Sequence, residues 1–208
     1  MDIMLNIYLA RHGQDEDNVV GILNGIRDKP LTQKGIEQAQ NLAEKIKEAE
    51  INFDKIYSSP LQRAYKTAET IADTLNIDKP EKLQDLIERD FGIMTGKSHA
   101  EIEELCSPQI LKTDTINYFL SPEGAETFPQ LIERGKKILM TIREKHSSGN
   151  ILLVSHGDIG KMIYATYYSL VWKDVLKMFH FGNSDLLLMS ENSPAKEAHV
   201  FKTEQFNL

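Results

Sequence analysis

Four short apolar runs predict buried β-strands. The two clearest cover residues 7–10 and 151–154, and each consists of apolar residues without interruption. Runs of this kind are typical of strands that are covered on both faces, as in a parallel sheet. Residues 186–189 form a similar run, and residues 55–57, which begin with a lysine, are a shorter and weaker candidate.

Three longer segments repeat apolar residues every three or four positions, which predicts amphipathic helices. In each segment the apolar side chains share one face. These faces are Ile36, Ala39, Leu42, Ala43 and Ile46 in the first segment; Leu61, Ala64, Ala68, Ile71, Ala72 and Leu75 in the second; and Phe128, Leu131, Ile132, Ile138, Leu139 and Ile142 in the third.

Two of these helices have recognisable starts. Ser59 is the expected N-cap of the second helix, with Pro60 at its first position and Gln62 completing a capping box. Thr127 is the expected N-cap of the third helix, and Gln130 stands at the matching position of its capping box.

Strands that alternate with helices predict an α/β fold with three layers, in which a mainly parallel sheet is flanked by helices. A length of 208 residues suits one domain. In such folds ligands bind beyond the carboxyl ends of the strands. The two clearest strands each lead into a His-Gly pair, at His12 and at His156. We therefore expect both histidines at the ligand-binding edge of the sheet.

Composition narrows the classes of function. The net charge of −7 argues against a general binder of nucleic acids or of anionic membranes. Cys106 is the single cysteine, so no internal disulfide can form, and no apolar run reaches the ~20 residues that a membrane span needs. The first residues lack the basic start of a signal peptide, and the expected location is the cytoplasm.

The residues around the first histidine suggest phosphoryl transfer. Arg11 would place an anion-binding group directly beside His12. A neutral imidazole, with an ordinary pKa of ~6.5, can attack phosphorus without first losing a proton. The reaction would then proceed in two steps through a phosphohistidine.

An ordered set of motifs resembles the histidine phosphatase superfamily, also called the phosphoglycerate mutase-like family. Ala125 departs from the pattern, because it stands at the second glycine of a Gly-Gly-Glu-Ser/Thr motif. The matching segments are Arg11-His12-Gly13 with Asn18; residues 28–32, Gly35 and 38–39; residues 57–64 and 67–68; residues 86–89, 91–92 and Gly96; residues 124–127; residues 154–157; and Asn183.

The resemblance implies a phosphoglycerate mutase-like fold and a role for each principal residue. His12 would be the nucleophile, while Arg11, Arg63 and His156 would hold the phosphoryl oxygens. Glu88 would protonate the leaving group and later activate water. The mechanism requires no metal and no cofactor.

Further residues are expected to contact substrate. Asn18 and Asn24 are candidate phosphate donors, and helices starting near Ser59 and Gly157 could direct amide groups at the phosphate. Residues 97–126 are expected to form a cap over the site.

Several residues in this region admit other interpretations. Asp85 and Asp90 flank Glu88 and could replace it as the acid. Lys97 is interpreted as a surface lysine and His99 as structural or exposed, whereas His180 could line the pocket.

Three functions compete. The first is a phosphatase for a small phosphorylated metabolite, the second is a cofactor-dependent phosphoglycerate mutase, and the third is a non-catalytic phospho-ligand binder. The mutase branch usually carries paired arginines in an insertion after the acid segment. Here the only fully charged basic residues between Gly96 and Gly124 are Lys97 and Lys112. In addition, Phe91 replaces the tyrosine that is usual in the mutase's acid segment. Both departures favour the phosphatase.

The partners expected are a small phosphorylated substrate, no nucleic acid and no membrane. The oligomeric state stays open between a monomer and a homodimer. Four aromatic residues could form either an apolar interface or part of the core, namely Tyr164, Tyr167, Tyr168 and Trp172.

Overall fold

A mixed six-stranded sheet lies at the centre of the computed structural model, which describes residues 4–201 apart from the side chain of Lys196. The strand order is β3-β2-β6-β1-β7-β8, and β4 and β5 form a separate antiparallel hairpin. The strands are β1 (Leu5–Arg11), β2 (Lys55–Ser58), β3 (Glu81–Lys82), β4 (Ile110–Lys112), β5 (Asn117–Phe119), β6 (Gly149–Ser155), β7 (Leu186–Met189) and β8 (His199–Phe201).

The pairs β1–β6, β2–β6 and β2–β3 are parallel, whereas β7 and β8 are antiparallel to their neighbours. This confirms the mainly parallel sheet, and the four predicted strands correspond to β1, β2, β6 and β7. Residues 1–3, which open the stretch used in the signal-peptide interpretation, lie outside the described residues.

Helices cover both faces of the sheet and complete the three layers. Ile7 and Leu9 of β1 pack with α5, α6 and α7, while Tyr8 and Ala10 face α2 and α3 on the other side. This alternation is the period of two expected along a strand. The helices are α1 (Glu16–Val19), α2 (Gln33–Glu48), α3 (Gln62–Leu75), α4 (Ile102–Cys106), α5 (Phe128–Lys145), α6 (Gly157–Tyr167) and α7 (Trp172–Met178).

Ile36, the first residue of the apolar face predicted for this helix, is 40% exposed, whereas the other four residues of that face are buried. A glycine makes the close contact in this turn instead. A Cβ atom on Gly35 would lie 2.0 Å from the carbonyl oxygen of Gln14, and one on Gly13 would lie 2.3 Å from that of Gly35. The two glycines therefore allow α2 to press against the loop that follows β1.

The predicted start of the second helix is wrong. The helix begins at Gln62, whose backbone N–H donates to Oδ1 of Asp28 at 2.7 Å. Ser59 does not cap it, because its Oγ accepts from the N–H of Leu61 and contacts Nε2 of His156 at 2.8 Å. A carboxylate from a distant loop has thus taken the capping role.

The predicted capping box of the third helix is confirmed. Thr127 caps α5 and exchanges hydrogen bonds with Gln130.

Among the four aromatic residues considered for an interface, Tyr164 is buried in the core and Trp172 stacks on Phe128. Within residues 4–201, no helix combines the length and apolar character that a membrane crossing would need.

Candidate active site

The two histidines leave adjacent parallel strands side by side. Arg11, the last residue of β1, pairs with Ser155, the last residue of β6. The next residues, His12 and His156, follow at the same level, and their ring centroids are 5.0 Å apart. The sheet register therefore brings the two predicted site histidines together, at the carboxyl ends of the strands.

The ring of His12 is held in one orientation by the backbone. Its Nδ1 lies 2.6 Å from the carbonyl oxygen of Gly13, a distance at which Nδ1–H donates to that oxygen. A neutral ring with its proton on Nδ1 carries its lone pair on Nε2. Burial, together with the positive charges of Arg63 and Arg11, holds the pKa of His12 well below 6.5. The imidazole is therefore neutral at physiological pH.

Arg63, on the first turn of α3, is fully buried beside this candidate nucleophile. Its Nε donates to Nε2 of His12 at 3.3 Å. Its two terminal nitrogens donate to the carbonyl oxygens of Arg27, at 2.6 Å, and of Gly25, at 2.8 Å. These bonds fix the guanidinium against the atom that would attack phosphorus.

Asp15 is a site residue that sequence reasoning missed. It is fully buried and pairs with Nε of Arg63 at 3.4 Å. It also accepts from the backbone N–H of Asn18 at 2.9 Å and from the side-chain amide of Asn24 at 2.7 Å. Its place three residues after His12 was the available signal, but nothing in the pattern showed that it folds back onto Arg63.

His156 is completely buried. Its Nε2 contacts Oγ of Ser59, while its Nδ1 has no hydrogen-bond partner among the described residues. Burial, followed by the charges of Arg63 and of a protonated His12, lowers its pKa well below 6.5. The ring is therefore a neutral group that an anionic phosphoryl oxygen could engage.

Arg11 and the candidate acid Glu88 both line a cavity at this end of the sheet. The terminal nitrogen Nη1 of Arg11 donates to the carbonyl oxygen of Phe181 at 2.8 Å. Its Nε has no partner among the residues described. Arg11 thus keeps donor capacity for an anion.

The carboxylate of Glu88 is held by three backbone amides. Oε1 accepts from the N–H groups of Arg89, at 2.8 Å, and of Ile159, at 3.1 Å, and Oε2 accepts from that of Asp158 at 3.2 Å. Burial raises the pKa of Glu88, and repulsion from Asp158 raises it further, against the lowering effect of the amides. A raised pKa suits a group that must deliver a proton.

The two neighbouring acids are committed elsewhere. Asp85 forms an ion pair with the exposed Lys137, and Asp90 accepts from the backbone N–H of Gly92. Neither lines the cavity, whereas Glu88 does. The structure therefore favours Glu88 among the three candidates.

Several amides at the two helix N-termini that were expected to face phosphate already have protein partners. The second and third amides of α6, from Asp158 and Ile159, donate to Glu88, and the first amide of α3, from Gln62, donates to Asp28. These carboxylates accept from the amides and complement the positive end of each helix dipole.

The remaining predicted contact residues line the cavity in different ways. The oxygen of Asn18 accepts from Asn183, which leaves its amino group as the part that could donate to a ligand. The amide of Asn24 is used by Asp15. A Cβ atom on Gly157 would lie 3.6 Å from Oε2 of Glu88 and 3.8 Å from Cζ of Arg11. Glycine therefore keeps the space between acid and arginine open.

The segment 97–126 supplies one wall of the cavity. Its lining residues are His99, Ile116, Asn117, Tyr118 and Phe119. His99 is exposed, in agreement with its interpretation from the sequence, and it also lines the cavity, because the short helical turn that carries it folds towards Arg11. His180 lines the adjoining part of the opening.

The two lysines of this segment lie outside the cavity lining. Lys97 pairs with Glu101 and Lys112 with Glu103, and both lysines are exposed. The prediction that Lys97 is a surface lysine is confirmed.

Three charged residues at the cavity were not singled out from the sequence. Arg89 is fully buried and lies over the rings of Phe119 and Phe128. Asp158 pairs with Arg89 at 3.2 Å, and Lys161 lies on the same helix as Asp158. The signal for Lys161 was its spacing of four residues from Gly157, which places both on one face of α6.

Within residues 4–201, no three or more His, Cys, Asp and Glu side chains come together in a way that could hold a metal ion. The charges that lower the pKa of the candidate nucleophile are those of Arg63 and Arg11.

The chain is 31% identical over 179 residues to phosphoserine phosphatase 1 of Hydrogenobacter thermophilus, with 86% of this chain and 82% of that protein covered. It is 30% identical to a 2,3-bisphosphoglycerate-dependent phosphoglycerate mutase of Bartonella tribocorum, with 73% and 76% covered.

Among solved structures, it is similar to the phosphoserine phosphatase of Entamoeba histolytica in complex with 3-phosphoglyceric acid. The TM-score is 0.72 at 26% identity, and 89% of this chain and 90% of that chain are covered. The family model of the histidine phosphatase superfamily (branch 1) matches residues 7–196. The chain belongs to the histidine phosphatase superfamily.

Proposed function

We propose that this protein is a metal-independent phosphomonoester hydrolase that acts on a small phosphorylated metabolite through a phosphohistidine at His12. The observation that carries this proposal is the arrangement of His12, whose unprotonated Nε2 faces Arg63 at 3.3 Å while its Nδ1 is tied to the backbone. An orientation fixed in this way holds the nucleophile ready for in-line attack.

In the first step, Nε2 of His12 bonds to phosphorus and the ester P–O bond breaks. The departing alkoxide takes the proton of Glu88, and Arg11, Arg63 and His156 bind the phosphoryl oxygens. In the second step, the Glu88 carboxylate takes a proton from water, whose oxygen attacks phosphorus. The P–N bond breaks, inorganic phosphate leaves, and His12 returns to its neutral form.

The raised pKa of Glu88 supports both of its roles. With a raised pKa, the carboxyl keeps its proton to higher pH and has it available for the first step, and its carboxylate is a stronger base in the second. The phosphoserine phosphatase among the relatives supports hydrolysis of a small metabolite.

The second candidate is a phosphoglycerate mutase, which one relative is named. A mutase must return the phosphoryl group to a bound acid and exclude water. The two lysines of the segment 97–126 are exposed and paired with glutamates, so this segment supplies no arginine and no free lysine to the cavity. This observation favours hydrolysis.

Three further features belong to the proposal. Residues 1–208 would form one domain, in which residues 97–126 act as a cap, since that segment lines the cavity opposite the strand ends. The proposed location is the cytoplasm. A non-catalytic binder is disfavoured, because nucleophile, arginines and acid meet at one site.

The deciding experiment supplies 3-phosphoglycerate with catalytic 2,3-bisphosphoglycerate and measures both inorganic phosphate and 2-phosphoglycerate. A parallel panel of phosphorylated metabolites, assayed with and without the bisphosphate, identifies the substrate. We expect phosphate release to exceed isomerisation. Isomerisation that greatly outpaces phosphate release would replace the phosphatase by the mutase, and a complete absence of turnover would favour the binder.

A further inference from the structure

Lys161 is a buried cation at the active-site cavity that the proposed mechanism does not use. It lies on α6, four residues after Gly157, which corresponds to about 6 Å along the helix axis. Its side chain is 3% exposed, yet it lines the same cavity as Arg11 and Glu88. It is thus displaced from the phosphoryl site but opens onto the same space.

The hydrogen bonds of Lys161 use neutral acceptors. Its Nζ donates to Oη of Tyr118 at 3.0 Å and to the carbonyl oxygen of Leu176 at 3.0 Å. An ammonium group can donate three hydrogen bonds, so one remains for a ligand. The ring of Phe179, with its centroid 5.0 Å from Nζ, adds a cation–π contact.

Within the described residues, no carboxylate forms an ion pair with Lys161. The acid whose charge acts on it is Asp158, and that carboxylate is already paired with Arg89 at 3.2 Å. Burial outweighs the attraction of Asp158 and lowers the pKa of Lys161 to about 8. A buried cation without its own counter-ion is costly unless a ligand supplies the negative charge.

The other cations around the cavity are already committed. Arg11 is assigned to the phosphoryl group. Arg89 donates to the carbonyl oxygens of Glu126 and Phe119 and is covered by aromatic rings. Among the Lys and Arg residues described as lining the cavity, Lys161 is therefore the one that can meet a second anion.

We propose that Lys161, supported by Tyr118, binds a second anionic group of the substrate, so that the enzyme selects small phosphomonoesters that also carry a carboxylate or another phosphate. This inference rests on the proposed function. According to this proposal, Lys161 on α6 and Tyr118 on strand β5 of the cap segment determine the substrate class.

The test compares kcat/KM within matched substrate pairs that differ in the second anion. For a carboxylate, the pair is 3-phosphoglycerate and sn-glycerol 3-phosphate; for a phosphate, it is fructose 1,6-bisphosphate and fructose 6-phosphate. We expect the wild type to prefer the doubly anionic member of at least one pair by about tenfold or more, the effect of one charge-assisted contact. The favoured pair identifies the anion.

Lys161→Met, which replaces the ammonium with an uncharged chain of similar length, should bring that ratio close to one, mainly through KM. Tyr118→Phe removes only the hydroxyl and should lower the ratio by a smaller factor. The matched control is Lys97→Met, an exposed lysine of the cap segment outside the cavity lining, which should leave the ratio unchanged. Because the ratio is measured within each variant, a general loss of activity does not affect it.

Equal kcat/KM values within both pairs for the wild type would overturn the inference, as would a preference that survives Lys161→Met. If Lys161→Met does not fold, the wild-type preference and the Tyr118→Phe ratio decide. Failure of the proposed function is distinguishable, because the wild type would then release no phosphate from any of the four esters or from p-nitrophenyl phosphate.

Discussion

The Nε atom of Arg63 donates a hydrogen bond to Nε2 of His12 across 3.3 Å. The nitrogen that would attack phosphorus is thus the acceptor of a guanidinium donor. A bound phosphoryl oxygen would replace it as the acceptor, because an anionic oxygen binds a guanidinium more strongly than a neutral nitrogen does. Asp15, 3.4 Å from the same Nε, holds the guanidinium in place during that exchange.

The first prediction is that His12 carries the covalent intermediate. His12→Ala should abolish turnover of p-nitrophenyl phosphate, by at least about a thousandfold, together with the acid-labile phosphoenzyme. Rapid quench with radiolabelled substrate measures both. The control is His146→Ala, which alters a histidine that bonds to Tyr57, away from the cavity, and should label normally. Normal labelling of the His12 variant would assign the nucleophile elsewhere.

A second prediction concerns Glu88 as the proton donor. Glu88→Gln should slow alkyl phosphates by about 100-fold or more, since their leaving groups need a proton. p-Nitrophenyl phosphate should be slowed much less, because p-nitrophenolate leaves without one. Steady-state kcat for both esters provides the measurement, and equal losses would show that Glu88 does not act as the acid.

The third prediction uses Asp158, whose negative charge raises the pKa of Glu88. Asp158→Asn should lower that pKa. The proton of Glu88 is then lost at lower pH, so the alkaline limb of the kcat/KM profile should move towards acid. sn-Glycerol 3-phosphate is the appropriate substrate because it has no second anion for Lys161. Asp85→Asn, in the same segment as Glu88, is the control and should leave the profile in place, whereas an unmoved limb in the Asp158 variant would contradict the assignment.

Folding stability should depend on pH through the two buried histidines. Their pKa values lie well below 6.5 in the folded protein. Below pH 6.5, the unfolded chain therefore binds protons that the folded protein does not. The free energy of unfolding should fall as pH decreases, with a slope of up to about 1.4 kcal/mol per pH unit for each histidine. Above about pH 7.5, where the unfolded histidines have also lost their protons, neither histidine contributes to the slope.

Urea unfolding between pH 5 and 7.5 tests this relationship (roughly the range over which an ordinary histidine titrates). His12→Asn should make the decline shallower than in the wild type. The raised pKa of Glu88 acts in the opposite direction, but it does so in both proteins, so the difference between them reports His12. Identical slopes would show that His12 is not held neutral by the fold.

The last prediction concerns metals. The proposed mechanism neutralises the phosphoryl charge with Arg11, Arg63 and His156, none of which is expected to need a divalent ion. Activity should therefore survive exhaustive dialysis against EDTA within about twofold, a change of less than 0.5 kcal/mol in the barrier. A complete loss that one divalent cation restores would contradict the mechanism.

Local sequence patterns determined much of the architecture. The apolar runs that became β1 and β6 are recognisable because a strand covered on both faces must be apolar throughout. The meeting of His12 and His156 also followed from the sequence, since parallel strands bring their carboxyl ends to one edge. The family motifs added Arg63 and Glu88, which no periodicity could have placed there.

Tertiary structure alone decided the partners of these residues. The first amide of helix α3 donates to Asp28, which lies 34 residues away in the chain. The local candidate for this role, Ser59, contacts His156 instead. Asp15 folds back onto Arg63, and the amides of α6 bind Glu88. Local patterns record propensity, whereas a buried polar group bonds to whichever partner the packing brings near.

Lys161 also shows the difference between what the sequence predicts and what the tertiary structure decides. Its position one turn after Gly157 is visible in the sequence, but a lysine on a helix is ordinarily solvated. The packing of Tyr118 and Phe179 around its ammonium removes it from water and leaves it facing the cavity. The sequence thus determined the fold and the principal residues of the phosphoryl site. The cap and the α6–α7 packing decided what surrounds that site, because burial and charge depend on contacts between segments far apart in the chain.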